Sequence, residues 1–464
     1  MRRITSLATL ALVLALWGSG CQTYKNQSKS MESAWAAGQP AIAAAAFGKE
    51  ADACGDSKDA VVWNLEAGTA YRAASNLTES VRHFDKAAER IDVYEQQAKV
   101  KVGREAMAIM TTPQNMPYEG RSYDKIMLHT YEALNFLAQG EVDKARPEII
   151  RAYQCQQDAV EENARRIESA QAAEKENKDR ATADRAKSDP TLTGALGGVT
   201  NNLEGFKFYA DYVNPFTVYL DGLYFLHAGA GGSDLEHARK SLQRVQEYAV
   251  DNKFIQADLH AAETGAPGTN ACTYVIFETG QAASMDQIRI DVPIIITKVS
   301  YVGVAFPKLV FHDNYARELT VTAGAVQEHT ALIGSMDAVI AKEFKNEWPV
   351  VLSKAIASAV AKGVAAYFVN AAAERQSAAL GWVSKVATAA TQIALNIADT
   401  RSWTTLPKEF QVACVPTPAD RKLVLSAPGA APVEVALVDG KVNVVCVHSV
   451  TFGSPLQVTQ FKLK

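Results

Sequence analysis

The spacing of hydrophobic residues follows one period in the first half of the chain and another in the second half. Across positions 61–92, small or apolar residues recur every three or four positions in two stretches separated near Asn76, which is the spacing of amphipathic helices. From Ala271 onward, short β-branched runs such as 273–277 and 442–450 are separated by glycine and proline, which is typical of strands. The chain therefore predicts an α+β fold, with a helical array followed by a strand-rich C-terminal domain.

The helical part contains four approximate copies of one unit. In the clearest copy, Gly68, Tyr71, Phe84 and Ala87 fall at the spacing of the tetratricopeptide repeat, a helix-turn-helix unit of about 34 residues. Small residues in this pattern let two helices approach, while the aromatic residues fill the space between them. The residues predicted to pack the other copies are Trp35, Phe136, Ala145, Gly222 and Phe225. A non-repeating helical bundle with the same periodicity is the alternative interpretation.

Changes in composition divide the chain into segments. Residues 21–156 are predicted to be helical repeats, 157–198 a charged helix or linker, and 199–265 a further helical repeat. The segment 157–198 is rich in Glu, Lys, Arg and Ala, a composition typical of a solvated helix. Residues 271–464 are predicted to form the α+β domain, interrupted by an Ala-rich helical insertion at 335–398.

Two local patterns add detail to the C-terminal domain. Asp439-Gly440 lies between two strand-like runs and predicts a β-hairpin. Within the insertion, residues 351–369 are apolar enough to raise the question of a membrane helix, but Lys354 and Lys362 interrupt them. We expect instead a buried amphipathic hairpin, which is either part of the core or an assembly surface of an oligomer.

The first residues have the pattern of a secretory signal peptide. A charged start is followed by an apolar run at 7–17 and by small residues before Cys21. This arrangement resembles a bacterial lipoprotein signal, although Gly18 stands where leucine is usual. The resemblance implies removal of residues 1–20, lipidation of Cys21 and attachment of the protein to a membrane through that N-terminal lipid. Gln22, in place of aspartate, favours the outer membrane, with the chain facing the periplasm.

Charge and cysteine usage narrow the range of partners and cofactors. The formal net charge of −4 and the pI near 6.1 do not predict nucleic-acid binding. The sequence has no CxxC or HxxxH pair, so we assign no metal site and no cofactor. In an oxidising periplasm, Cys414 and Cys446 are the pair that we expect to form a disulfide, because both lie in strand-like runs of one segment.

Catalytic templates find little support in the sequence. It contains no HExxH, GxSxG or Walker A motif. His312-Asp313 beside Glu318 comes nearest to an acid–base cluster, but neighbouring polar residues on a turn are usually only solvated. We therefore assign no catalytic residue and favour a role other than catalysis.

Several blocks of sequence resemble one known family. The stretches 123–128, 214–222 and 301–307 precede the motif Asp399-Thr-Arg401-Ser-Trp403, in an order that resembles a family of bacterial lipoproteins with tetratricopeptide-like repeats, for which no activity is established. Genes of that family tend to lie near genes for lipoprotein activators of penicillin-binding proteins. The resemblance therefore implies a role in the cell envelope, linked to peptidoglycan synthesis.

Two functions are compatible with these patterns. In the favoured one, a membrane-tethered scaffold binds an envelope protein or peptide in the groove of its repeats. In the alternative, the C-terminal domain binds or hydrolyses an envelope polymer, which would require a cleft with paired carboxylates. Arg401 would either grip an anionic group of a partner or, with Asp399 and Trp403, lock a joint between the helical insertion and the sheet. We favour the joint, because it needs only packing and charge-assisted hydrogen bonds.

Overall fold

The computed structural model describes residues 24–100, 113–176, 184, 188–210, 212–265, 270–292, 302–376 and 397–464. Within these residues helices fill the first part of the chain and strands dominate the second, so the predicted α+β class is confirmed. The predicted signal residues, including Cys21, lie outside the described residues.

In the part of the chain that the structure describes, ten α-helices precede the first strand. They are α1 (Tyr24–Ala36), α2 (Pro40–Ala53), α3 (Ala60–Ala73), α4 (Leu77–Val100), α5 (Ser122–Ala138), α6 (Val142–Glu176), α7 (Pro190–Thr200), α8 (Pro215–His227), α9 (Gly232–Gln246) and α10 (Lys253–Thr264). Asparagine starts two of them: the side chains of Asn214 and Asn252 accept backbone N–H bonds in the first turns of α8 and α10.

Glycine allows close contact between consecutive helices. A Cβ atom at Gly68 of α3 would lie 2.5 Å from the ring of Phe84 on α4, and one at Gly222 of α8 would lie 2.7 Å from Leu242 on α9. Among the residues predicted to pack the repeats, Trp35, Phe84, Ala87, Ala145 and Phe225 are buried, whereas Tyr71 and Phe136 are partly exposed. The spacing of small and aromatic residues thus corresponds to real contacts between α3 and α4 and between α8 and α9.

The first part of the charged segment 157–198 belongs to a helix that begins before it. Helix α6 runs without a break from Val142 to Glu176, so the predicted boundary at residue 157 falls inside a helix. Its charged second half includes Glu162 and Arg166, which form ion pairs with Lys125 and Glu347 from other parts of the fold. These ion pairs attach the segment to the body of the protein.

The strands form three sheets. They are β1 (Cys272–Thr279), β2 (Ser284–Val292), β3 (Val302–Val310), β4 (Thr320–Ala323), β5 (Val326–His329), β6 (Ala331–Ser335), β7 (Glu409–Pro416), β8 (Lys422–Ser426), β9 (Val433–Ala436), β10 (Val442–Ser449) and β11 (Gln457–Lys462). A mixed sheet has the order β11-β10-β1-β7-β6, an antiparallel sheet has the order β5-β4-β8-β9, and β2 pairs with β3. Strand β1 is central in the mixed sheet, parallel to β10 and antiparallel to β7.

The hairpin predicted at Asp439-Gly440 is not formed. Strand β9 pairs with β8 in the four-stranded sheet, whereas β10 pairs with β1 and β11 in the mixed sheet. The turn therefore carries the chain from one sheet to the other. A turn motif fixes the local reversal of the chain but not the strand with which each arm pairs.

Between β6 and β7 lies one long helix, α11 (Met336–Gln376), which continues through Pro349. Its buried residues Ile356, Ala359 and Val360 pack with Val304 and Phe306 of β3 in a small second core. Residues 377–396, where the second half of the predicted hairpin falls, lie outside the described residues. Among the described helices, none has both the length and the hydropathy that a membrane span requires.

Candidate functional site

The predicted groove of the repeats faces the protein's own C-terminal domain. The first helices of the predicted units would line such a groove, and in three of the four units these helices, α3, α5 and α8, have most of their residues buried. On α8, the ring of Phe216 stacks on Phe410 of β7 with 3.8 Å between ring centroids. The C-terminal domain therefore packs on the face where the sequence predicts a groove for a partner.

A buried ion pair connects α3 to the central strand. Arg72 Nη2 lies 2.8 Å from Glu278 Oε1, both side chains are at most 6% exposed, and the hydroxyl of Tyr131 donates to Glu278 Oε2 over 3.1 Å. Burial raises the pKa of Glu278, but Arg72 and His448 outweigh that effect and lower the pKa to about 2. Glu278 is therefore a carboxylate that is committed to neighbours inside the protein.

Glu66, six residues before Arg72 on α3, binds the loop that follows the Asp399 motif. Its carboxyl group accepts backbone N–H bonds from Thr404 and Thr405 at 2.7 and 3.1 Å, and the hydroxyl of Tyr24 donates to it at 2.8 Å. Burial raises the pKa of Glu66 to about 7.

The motif itself is packed against the same helix. Arg401, 1% exposed, donates to Asp399 at 2.6 and 2.8 Å and to Asp59 at 2.8 Å. The indole of fully buried Trp403 donates to Thr69 of α3 over 2.9 Å. These contacts join the motif to α3, in addition to the insertion and the sheet that flank it in sequence. We call this region the buried seam, formed by Glu66, Thr69 and Arg72 on one side and Glu278, Arg401 and Trp403 on the other.

The expected disulfide between Cys414 and Cys446 is wrong. Both are free thiols, and β1 lies between their strands β7 and β10. Two strand intervals of about 4.8 Å place the chains farther apart than the limit of about 7 Å between Cα atoms for a disulfide. The cysteine that neighbours Cys414 is Cys272 on the adjacent strand, with its thiol within hydrogen-bonding reach. Which cysteines are neighbours depends on the order of strands in the sheet, and the sequence does not show that order.

The acid–base residues considered from the sequence do not converge. His312 Nε2 lies 3.0 Å from the hydroxyl of Ser284, Asp313 pairs with Lys408, and Glu318 lies 3.8 Å from His329. Each therefore belongs to a different local contact.

A large cleft opens where the helical array, the β2–β3 hairpin and α11 meet. Its volume is about 360 Å³, within the range of ligand-binding pockets. The apolar part of its lining comes from Met116, Pro117, Met285, Val304, Ala305, Pro307, Phe344, Val351 and Ala355, and the charged part from Glu119, Arg121, Arg166, Glu347, Lys354 and Asp399. We call it the junction cleft. Asp399 reaches its edge, so the cleft and the buried seam are neighbours.

Two arginines on the cleft wall share one carboxylate. Arg121 Nη1 lies 3.2 Å from Glu347 Oε2, and Arg166 Nη1 lies 2.8 Å from Glu347 Oε1. The buried Nε of Arg121 has no hydrogen-bond partner among the described residues. Arg166 is 48% exposed. Arg121 Nη2 also donates to the sulfur of Met285 over 3.1 Å. The guanidinium group that the wall offers to a ligand is therefore that of Arg166, since Glu347 accepts from only one of its nitrogens.

The second glutamate of this region lies behind the wall. Glu343 is fully buried and accepts backbone N–H bonds from Ser122 and Tyr123 at 2.9 and 3.1 Å, at the start of α5. Burial and then the neighbouring Glu347 raise the pKa of Glu343 to about 8. Because Glu343 caps a helix and does not line the junction cleft, it does not form a reacting pair with Glu347 there.

Comparison with protein-family models, with curated proteins and with solved structures finds no match for this chain.

Of the charged residues that line the cleft, the sequence singled out Asp399 but not Arg121, Arg166 or Glu347. Arg121 precedes α5, Arg166 lies in the middle of α6, and Glu347 belongs to α11. In sequence each is an ordinary charged residue of a polar stretch. Only the packing of α11 beside α5 and α6 brings them together.

Proposed function

We propose that this protein is a non-enzymatic binding scaffold of the bacterial cell envelope, tethered to the outer membrane by a lipid on Cys21, and that its junction cleft holds a segment of a partner protein. The observation that carries this proposal is the pairing of an apolar cleft of about 360 Å³ with two arginines that share a single carboxylate. Ligand-binding clefts are typically lined by apolar side chains with a few polar groups.

The helical pairs support a scaffold built from tetratricopeptide-like units. The glycine–aromatic contact of Gly68 with Phe84 and the contact of Gly222 with Leu242 occupy corresponding positions in two of the units. In this protein the groove of the units holds the C-terminal domain. The partner site is then at the edge between the array and that domain, instead of on the array itself.

The lining of the cleft indicates the chemistry of its occupant. Met116 and Met285 have flexible, polarisable side chains that adapt to different apolar groups. Half-exposed Arg166 matches a carboxylate, because guanidinium forms paired hydrogen bonds with it, and Arg121 behind it adds positive charge. We therefore propose a short segment with an apolar side chain and an Asp, Glu or C-terminal carboxylate. The family resemblance favours a partner that takes part in peptidoglycan synthesis.

Site-specific photocrosslinking in cells tests the proposal. A photoreactive residue at Val351, inside the cleft, should capture one envelope protein. The same residue at Val326, which is 38% exposed on the four-stranded sheet and does not line the cleft, should not. Peptides recovered from the crosslink should contain an apolar and an acidic residue. The same species at both positions, or none at Val351, would contradict the proposal.

The tether has its own test. Replacing Cys21 with Ser removes the thiol that would carry the lipid, so the variant should move to the soluble periplasmic fraction, measured by fractionation and immunoblot. The wild-type protein is the control and should stay with the outer membrane. A Cys21→Ser variant that remains in the membrane fraction would argue against a lipid tether.

The hydrolytic alternative has less support. Glycan hydrolysis requires two carboxyl groups facing the same substrate, and the protonated candidate Glu343 is capped inside the fold by the backbone of α5.

A further inference from the structure

A histidine and two glutamates converge between helices α5 and α6. His129 and Glu132 are three residues apart on α5, so they project from one face of that helix. His129 Nδ1 lies 2.8 Å from Glu148 Oε2 of α6 and 3.1 Å from Glu132 Oε2. The three ligand atoms all lie within 4.8 Å of one another. Cys155, seven residues after Glu148 on α6, has its thiol within hydrogen-bonding reach of the same imidazole.

The cluster collects more negative than positive groups. The side chains of Glu132 and Glu148 are 4% and 10% exposed. Asp85 of α4 is hydrogen-bonded to Glu132, and Glu89 lies nearby. Besides His129, the one cationic group that the described contacts place on these carboxyls is Arg151, 2.9 Å from Glu148 Oε1. Carboxyl groups packed this closely in a buried place cannot all ionise without further cations, and a divalent cation would supply the missing positive charge.

We propose that His129, Glu132 and Glu148 bind a divalent transition-metal ion, with zinc as the ion that fits the ligand set. Zinc accepts imidazole nitrogen and carboxylate oxygen at about 2.0–2.2 Å in a tetrahedron, which separates its ligand atoms by roughly 3.3–3.6 Å. The two distances from His129 Nδ1, 2.8 and 3.1 Å, would need to open by roughly 0.2–0.8 Å to reach that geometry. Calcium and magnesium prefer sites made of oxygen alone. Three protein ligands leave a fourth position for water.

The ion would bridge α5 and α6. These helices also position Arg121 and Arg166, but the metal cluster is separate from the junction cleft. The proposal therefore does not depend on the proposed binding function, and each can fail without the other.

Metal titration of the purified protein tests the site. The chain from residue 22 onward, stripped with a chelator, should bind one Zn²⁺ in competition with a chromophoric chelator. His129→Ala and Glu148→Gln should each weaken binding by at least about tenfold, because each removes a ligand. The matched controls His260→Ala and Glu161→Gln replace exposed residues of α10 and α6 and should bind as the wild type does.

Cobalt provides a second measurement on the same proteins. Co²⁺ in the site should give the intense visible bands of a four-coordinate ion, and His129→Ala should lose them. Circular dichroism and urea unfolding verify that the variants are folded. If His129→Ala does not fold, the affinity of Glu148→Gln, which keeps the side-chain shape, tests the site instead. Absence of a bound ion, or equal affinity in the wild type and both ligand variants, would overturn the proposal.

Discussion

The buried seam and the junction cleft are built from the same residue types, arginines and carboxylates from both halves of the chain, but they differ in how completely those groups are paired. In the seam, Arg401 is 1% exposed and donates to two aspartates. In the cleft, Arg166 is 48% exposed and shares Glu347 with Arg121. The seam uses its charges to join the two halves. The cleft keeps donor capacity that a partner can use.

This difference shows that an Arg–acid motif does not by itself indicate binding. The Asp399–Trp403 motif is the more conspicuous of the two regions in sequence, yet the guanidinium of Arg401 and the indole of Trp403 already donate to groups within the fold. The burial of each arginine and the number of its hydrogen-bond partners distinguish a joining role from a binding role. The comparison can be tested by substitutions that change each region in the same way.

Breaking the buried ion pair should have the largest effect. Arg72→Met leaves Glu278 as an uncompensated buried carboxylate, so the free energy of unfolding should fall by about 3–5 kcal/mol. Urea unfolding followed by circular dichroism measures it. The double variant Arg72→Met/Glu278→Leu should recover much of the loss, because it removes both charges.

The exposed pair of Arg239 and Glu236 on α9 provides the control. Arg239→Met should leave the urea midpoint almost unchanged. A loss in Arg72→Met no greater than in Arg239→Met would mean that the seam does not hold the two halves together.

Glu66 should give the seam a distinctive pH dependence. Its pKa is raised from 4.5 to about 7 by burial, so the folded state holds a proton that the unfolded state has lost. Its contribution is therefore complete below about pH 4.5 and is lost as the pH rises through 7, by roughly 3 kcal/mol at most. Glu278 has the opposite sign, because its pKa is lowered to about 2 and its contribution is lost only as the pH falls below about 4.5.

Glu66→Gln should accordingly flatten the fall in stability between pH 5 and pH 8, measured by urea unfolding at several pH values. The slope will not vanish, because burial also raises the pKa values of Glu132 and Asp258 to about 7. The exposed Glu161→Gln on α6 should keep the full slope. An unchanged slope in Glu66→Gln would show that this carboxyl titrates as an ordinary one.

Much of the fold was predictable, because it depends on local periodicity. The helical contacts of Gly68 and Phe84 and the change to strands near Ala271 follow from spacing alone. Pairing between distant segments was not predictable. The transfer of the chain between sheets at Asp439-Gly440 and the strand between Cys414 and Cys446 depend on strand order. The junction cleft depends on α11 packing beside α5 and α6, which no local pattern records.

Substitution by a larger side chain should destabilise the closely packed buried seam more than the open junction cleft. Gly68→Ala places a methyl group 2.5 Å from the ring of Phe84, which itself contacts Trp403. We expect a loss of about 1–3 kcal/mol from overpacking. Ala355→Leu adds three carbons on the wall of the junction cleft, where there is room, and should cost less.

Urea midpoints compare the two substitutions, and the photocrosslink from Val351 should weaken in Ala355→Leu, because the larger side chain takes up part of the cleft volume of about 360 Å³. A larger stability loss in Ala355→Leu than in Gly68→Ala would mean that the cleft is as tightly packed as the seam.

The smallest effect on stability should come from Arg166, and it provides the sharpest contrast with Arg401. Arg166→Ala breaks a half-exposed ion pair, so the free energy of unfolding should change by no more than about 0.5 kcal/mol, while the crosslink from Val351 should fall strongly. Arg401→Ala should instead lose about 1.5–3 kcal/mol, because it removes a buried side chain and its charge-assisted hydrogen bonds to the partly buried Asp399 and Asp59. If the Arg166→Ala variant keeps the full crosslink, the guanidinium group does not contribute to recognition of the partner. The apolar residues that line the cleft must then account for binding.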